Sequence, residues 1–194
     1  MTLLTARIIS FLSYPYIIIP PGVFFIFLKQ SGSTSYAFMW SIIAVVFVMV
    51  ILAFELIGLK LGMFSNFDIS RRKQRTSFYT FLLLLLSAGI VTAFALQVSR
   101  EIISVGIAAF IGIALMFIVN RKVKASLHVA SISALLLTVA FLYGSYFYAM
   151  LLFIPLIAWS RVKTKKHKIS ETVAGGILGI FITVLSYAMV QYIQ

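Results

Sequence analysis

The sequence predicts an all-α fold, a polytopic transmembrane helical bundle of six or seven spans, as a single integral membrane domain over residues 1–194. Three observations predict it. Of the 194 residues, 62% are hydrophobic and only 10% are charged, against about 45–50% and about 25% in a soluble domain. The mean hydropathy is +1.12. The apolar residues fall into runs near spanning length, about 20 residues, separated by short basic segments. Together these rule out a water-soluble globule, a disordered tail and a collagen-like fibre. Eighteen Phe and nine Tyr suit lipid-facing and interfacial positions. The absence of Cys excludes disulfides, thiolate metal sites and cysteine nucleophiles.

Seven apolar runs can be read between the charges: 8–28, 36–59, 77–97, 102–119, 127–143, 146–159 and 172–193. In the first, Arg7 precedes the apolar stretch as in a signal peptide, but no small-residue cleavage site follows. Pro15, Pro20 and Pro21 interrupt it, so a retained, bent or broken helix is expected. The second run holds Glu55, about one turn before Lys60, and a structural pair with Lys60 or a neighbouring helix is expected. Runs three and four are uninterrupted. Residues 127–159 form one apolar stretch of 33, too long for one ordinary span and short for two. The turn-like Tyr143-Gly144-Ser145-Tyr146 divides it, and Pro155 is expected to kink the second half. The last run opens with Gly175, Gly176 and Gly179, small residues suited to close helix packing.

Charge is distributed unevenly. Sixteen Lys and Arg stand against the four acids Glu55, Asp68, Glu101 and Glu171, a net charge of +12. No soluble domain is present to offer a nucleic-acid groove, so no nucleic-acid partner is expected. An anionic membrane surface or a phosphorylated substrate fits better. With the division at Gly144, fourteen of the sixteen basic residues fall on one side of the membrane. All three strongly basic segments, 64–76, 120–126 and 160–170, converge there.

Each of these segments carries groups that could do chemistry. Residues 160–171 read Ser-Arg-Val-Lys-Thr-Lys-Lys-His-Lys-Ile-Ser-Glu. His167 and Glu171 are four apart and share a face if the last helix begins near His167. The carboxylate would then fix the tautomer and leave the other ring nitrogen as a nucleophile. Arg161 offers a guanidinium for bidentate phosphate binding. Residues 121–128 read Arg-Lys-Val-Lys-Ala-Ser-Leu-His. Here Lys124 and Ser126 are donors, and His128, inside the membrane, needs a polar cavity or a helix neighbour. Residues 68–75 read Asp-Ile-Ser-Arg-Arg-Lys-Gln-Arg, four cations in five positions that suit phosphate or anionic lipid. Taken singly, each segment also reads as a basic anchor on lipid headgroups.

Taken together, the three segments resemble the type 2 phosphatidic acid phosphatase family of membrane lipid phosphatases. That family's third signature is Ser-Arg, five residues, His, three residues, Asp; here it is Ser160, Arg161, His167 and Glu171. The second, Pro-Ser-Gly-His, is similar to Ala125-Ser126-Leu127-His128, which keeps the Ser and the His, with Lys124 in a Lys-x-Ser-x-His form known in some bacterial members. The first, Lys, six residues, Arg-Pro, keeps its Arg as Arg75; Thr76 replaces the Pro and Asp68 stands in place of the Lys, with Arg71 or Arg72 as shifted substitutes. The resemblance covers about residues 64–180 and implies a phosphatase-like core there.

The resemblance implies hydrolysis of a lipid phosphate monoester or diphosphate through a phosphohistidine intermediate. His167 would be the nucleophile, Glu171 its orienting partner and His128 the acid for the leaving group. Arg161, Arg75, Arg72, Lys124 and Ser126 would bind the phosphoryl oxygens. No cofactor and no metal are implied, the cations doing the metal's electrostatic work. The expected partners are the lipid substrate and membrane lipids. The expected location is a bacterial inner (plasma) membrane with the site on the cytoplasmic face, by the positive-inside rule. The altered first signature leaves an alternative: a non-catalytic lipid-binding or lipid-transporting protein on a degenerate phosphatase scaffold. A cation transporter would need more buried carboxylates than Glu55.

Overall fold

The computed structural model describes residues 2–193 and is predominantly helical, with no strand among the described residues. Eight α-helices follow in order: α1 Leu3–Leu12, α2 Pro15–Ser31, α3 Thr34–Lys60, α4 Gln74–Ala95, α5 Arg100–Asn120, α6 Leu127–Tyr143, α7 Phe153–Lys163 and α8 Ile169–Ile193. A 3₁₀ segment, Ser145–Leu152, joins α6 to α7.

The helix boundaries follow local chemistry. Thr2 caps α1 by accepting the Thr5 N–H at 3.2 Å, and Ser33 caps α3 by accepting the Tyr36 N–H at 3.3 Å. The first apolar run is broken at Pro15 as expected, whereas Pro20 and Pro21 lie inside α2 without ending it. Pro15 cannot continue α1 but suits the first position of α2, and the two helices meet at a bend of 48°. Gly144 ends α6 with φ 100°, a conformation open to glycine, so the long apolar stretch divides where the sequence suggested. Pro155 does not kink a helix interior. It lies in the first turn of α7, where a missing N–H costs nothing, and the 3₁₀ segment before it absorbs the change of direction.

Among the described residues five helical segments are long and apolar enough to cross a membrane, and the bent α1–α2 pair makes a sixth if it counts as one span. Helix α6, at 17 residues, stands at the lower limit of spanning length. Its position explains its composition. It packs against α2, α7 and α8 and is apolar around most of its circumference. By contrast, Phe38, Met39, Ile42, Val45, Val46 and Met49 stand exposed along α3. An apolar surface of that extent belongs against lipid, and the chain is an integral membrane protein.

Helices α6 and α8 pack closely along their first turns, and that pairing positions the site. Gly175 lies against the Ser126 backbone and Gly179 against the Ala130 carbonyl, so that a Cβ on either would collide with main chain. The small-residue start of α8 therefore brings it onto the first turn of α6. On the other side of α6, Val129, Ile132, Leu136 and Ile157 form a buried apolar cluster that holds α7 in place.

Candidate active site

The three basic segments meet at one end of the bundle around a cavity of about 40 Å³, room for a few waters at about 10–15 Å³ each. Four of the residues singled out in the sequence line it: Arg75, His128, Arg161 and His167. Each is at least nine-tenths buried. Arg75 is the second residue of α4, His128 the second of α6, Arg161 sits in the last turn of α7, and His167 lies in the loop before α8.

His167 is held from one side. Its Nδ1 lies 2.8 Å from Glu171 Oε2, and the same oxygen accepts the Lys168 N–H at 3.2 Å. Helix α8 begins at Ile169, so His167 lies outside it, and the four-residue spacing does not act as a shared helical face. Glu171 sits in the first turn and reaches back over the helix start, as in half of a capping box. An ionised carboxylate only accepts, so Nδ1 carries the proton and Nε2 keeps its lone pair. Burial, followed by the Arg75 guanidinium, presses the His167 pKa below the ordinary imidazole value, against the opposing pull of Glu171. The ring is therefore neutral at pH 7 and carries a free lone pair.

Two guanidiniums flank the imidazoles. Arg75 donates Nε–H to the Ile69 carbonyl at 3.0 Å and Nη1–H to the Ala125 carbonyl at 2.9 Å. The α3–α4 loop pays for that contact in backbone strain: Ile69 has φ 42°, costly for a β-branched residue, and is held by its burial and by Arg75. Arg161 donates Nη1–H to Ser10 Oγ at 2.7 Å and pairs through Nη2 with Asp68. Lys166 Nζ lies 2.7 Å from the other Asp68 oxygen. Burial alone would raise the Asp68 pKa, but Arg161 foremost, with Lys166, holds it down at about 2. A carboxylate therefore already occupies Arg161. Arg75, among the described residues, has no ion-pair partner.

The remaining predicted residues lie around this cavity but do not line it. Lys124 donates Nζ–H to the Lys166 carbonyl at 3.1 Å and stands 3.7 Å from Glu171 Oε2, behind the His167 partner. Ser126 is fully buried. Its N–H donates to the Glu171 carbonyl at 2.9 Å, tying the second and third segments together, while its Oγ has no partner. Arg72 donates Nη1–H to the Lys122 carbonyl at 2.9 Å and joins two loops at the surface. Neither Arg71 nor Arg72 supplies a charge inside the cavity.

The structure adds residues to the cavity that were not read as part of the site. Glu55 takes the second of its two expected partners, a neighbouring helix rather than Lys60: it accepts the Tyr16 hydroxyl of α2 at 2.6 Å, and it also lines the cavity. Tyr14 lays its ring edge-on to His128, with centroids 4.3 Å apart. Two tyrosines flanking Pro15 at a broken span were the available signal, since a break inside a membrane must line protein or a cavity. Among the described residues no group of three or more His, Asp or Glu gathers as a metal site. No protein-family model matches the chain, and neither a curated protein nor a solved structure matches it.

Proposed function

We propose that this protein is a membrane lipid phosphatase, similar to the type 2 phosphatidic acid phosphatases, acting through a phosphohistidine intermediate. One observation carries the reading: a single buried cavity collects Arg75, His128, Arg161 and His167 from segments far apart in the chain. Two buried guanidiniums share it with Asp68, paired to Arg161 and Lys166, and with Glu55, bonded to Tyr16, and among the described residues Arg75 has no ion-pair partner. An uncompensated buried charge is destabilising by several kcal/mol, about 3–5 when a partner is removed, so an anion beside Arg75 answers an electrostatic need. The cavity sits among the loops at one end of apolar helices, the level of lipid headgroups, which favours a phosphate attached to a lipid.

In this mechanism His167 Nε2 attacks phosphorus and the P–O bond to the lipid breaks. His128 gives a proton to the departing alkoxide or phosphate. Water then attacks the phosphohistidine, His128 takes its proton, and inorganic phosphate leaves as the N–P bond breaks. Glu171 stabilises the positive charge that develops on the His167 ring. Arg75 and Arg161 hold the equatorial oxygens, where charge spreads in the transition state. The phosphoryl group takes the place at Arg161 that the Asp68 carboxylate occupies. Lys124 and Ser126 act behind this, by fixing Glu171 and the loop that presents it.

The basic loops support a site on the cytoplasmic face of a bacterial inner membrane. A second reading draws on Asp68: a resident carboxylate at Arg161 also suits a scaffold that binds or moves lipid phosphates without cleaving them. Purified protein in detergent separates the two. The phosphatase reading expects phosphate release from at least one of phosphatidate, phosphatidylglycerophosphate and a polyprenyl diphosphate, lost in His167→Ala and undiminished by a chelator. Lipid phosphate binding without release selects the second reading.

A further inference from the structure

The cavity also contains an acceptor that the phosphoryl chemistry leaves unused. Glu55 is 3% exposed, and its Oε1 accepts the Tyr16 hydroxyl at 2.6 Å. That distance lies within the ordinary range of an O–H···O bond, about 2.5–3.0 Å. The other oxygen, Oε2, is buried with no partner, and so is His128 Nε2 across the Tyr14 side of the same cavity. Tyr16 has spent its only proton. None of the nearby cations is bonded to Oε2: Arg161 and Lys166 pair with Asp68, Arg75 donates to two main-chain carbonyls, and the one buried donor left over among them, Arg161 Nε, has no partner at all. A buried carboxyl oxygen without a hydrogen bond is costly, and no donor among the described residues is bonded to this one.

We propose that Glu55, steadied by Tyr16, is a binding subsite for a hydrogen-bond donor, a hydroxyl or an ammonium group, carried by the ligand whose phosphate sits at Arg75 and Arg161. This rests on the phosphate reading above and narrows its substrate class. Lipid phosphates with a free hydroxyl or amine close to the phosphate fit both parts of the cavity. Fully acylated glycerol phosphates and polyprenyl diphosphates leave Glu55 Oε2 unpaired.

Soluble headgroup analogues test this by calorimetry on the purified protein in detergent. Inorganic phosphate reports the cationic part of the cavity alone. Glycerol 3-phosphate against propyl phosphate reads the hydroxyl, and phosphoethanolamine against ethyl phosphate reads the ammonium. A hydrogen bond to a charged group corresponds to at least about tenfold in affinity. One of the two donor-bearing ligands is expected to bind at least about tenfold tighter than its donor-free counterpart. Glu55→Leu, close in size and without a polar atom, brings the pair level. If the wild-type protein binds inorganic phosphate but treats both members of each pair alike, the subsite is wrong and the phosphate reading stands, with no need for the variant to fold. If Glu55→Leu weakens all five ligands equally and keeps the preference, Glu55 is structural and the proposal fails. If inorganic phosphate does not bind at all, the phosphate reading falls and takes the subsite with it.

Discussion

Glu171 Oε2 serves three groups at once: the His167 imidazole, the N–H of Lys168 just before α8 and, at longer range, the Lys124 ammonium. A neutral amide at this position keeps an acceptor for the N–H but loses the charge that favours the ring as it becomes cationic. Glu171→Gln should therefore lower kcat about tenfold, the difference between a charge-assisted and a neutral hydrogen bond, and Glu171→Asp should lower it less. Equal rates of phosphate release in the two variants would reduce Glu171 to a helix cap. The depressed His167 pKa gives a second expectation. Attack needs the neutral ring, so activity is lost only as pH falls through the folded pKa, which lies below the ordinary value of about 6.5. The acid limb of kcat/KM should lie well below that value; a limb at or above it contradicts the assignment. At this scale the four cavity residues were legible because each lies in a short motif. Asp68 was not: its partner Arg161 is 93 positions away, a contact that no local spacing encodes. The Tyr16–Glu55 bond hides in the same way, across 39 positions.

Helices were easier to read than their ends. Apolar runs between charges located every spanning segment, because a bilayer demands continuous apolar length. Proline and glycine placed the breaks at Pro15 and Gly144, where backbone geometry rather than burial decides. The 3₁₀ segment had no signal of its own, since it is as apolar as the helices it joins. The sequence also marked the small residues of α8 without ranking them, and the structure ranks them. A Cβ at Gly179 collides with the Ala130 carbonyl, whereas one at Gly176 meets its nearest neighbour, Val129 Cγ1, at an ordinary 3.7 Å. Gly179→Ala should therefore cost about 1–3 kcal/mol by forcing α6 and α8 apart, and Gly176→Ala should stay within about 0.5 kcal/mol. Thermal unfolding in detergent compares them; equal midpoints would mean that α6 and α8 do not meet as described.

The whole molecule places fourteen of its sixteen Lys and Arg in segments on one side of the spans, and contacts among those segments build the cavity. The same charges serve two purposes, orienting the chain and binding an anion. Orientation can be read alone by cysteine labelling, because the native chain has no Cys. With an impermeant reagent on intact cells, Lys165→Cys, in the exposed α7–α8 loop, should resist labelling, and Ser33→Cys, before α3, should react. The reverse pattern would put the cavity on the outer face and leave its chemistry untouched. That chemistry is tested most directly by catching the intermediate. Protein mixed with a radiolabelled lipid phosphate and quenched in denaturant should retain label on the polypeptide, stable to base and labile to acid as an N–P bond is. Peptide mapping should place it at His167, His128→Ala should change how much accumulates, and His167→Ala should carry none. Phosphate release with label absent from the chain, or label undiminished in His167→Ala, would contradict the account.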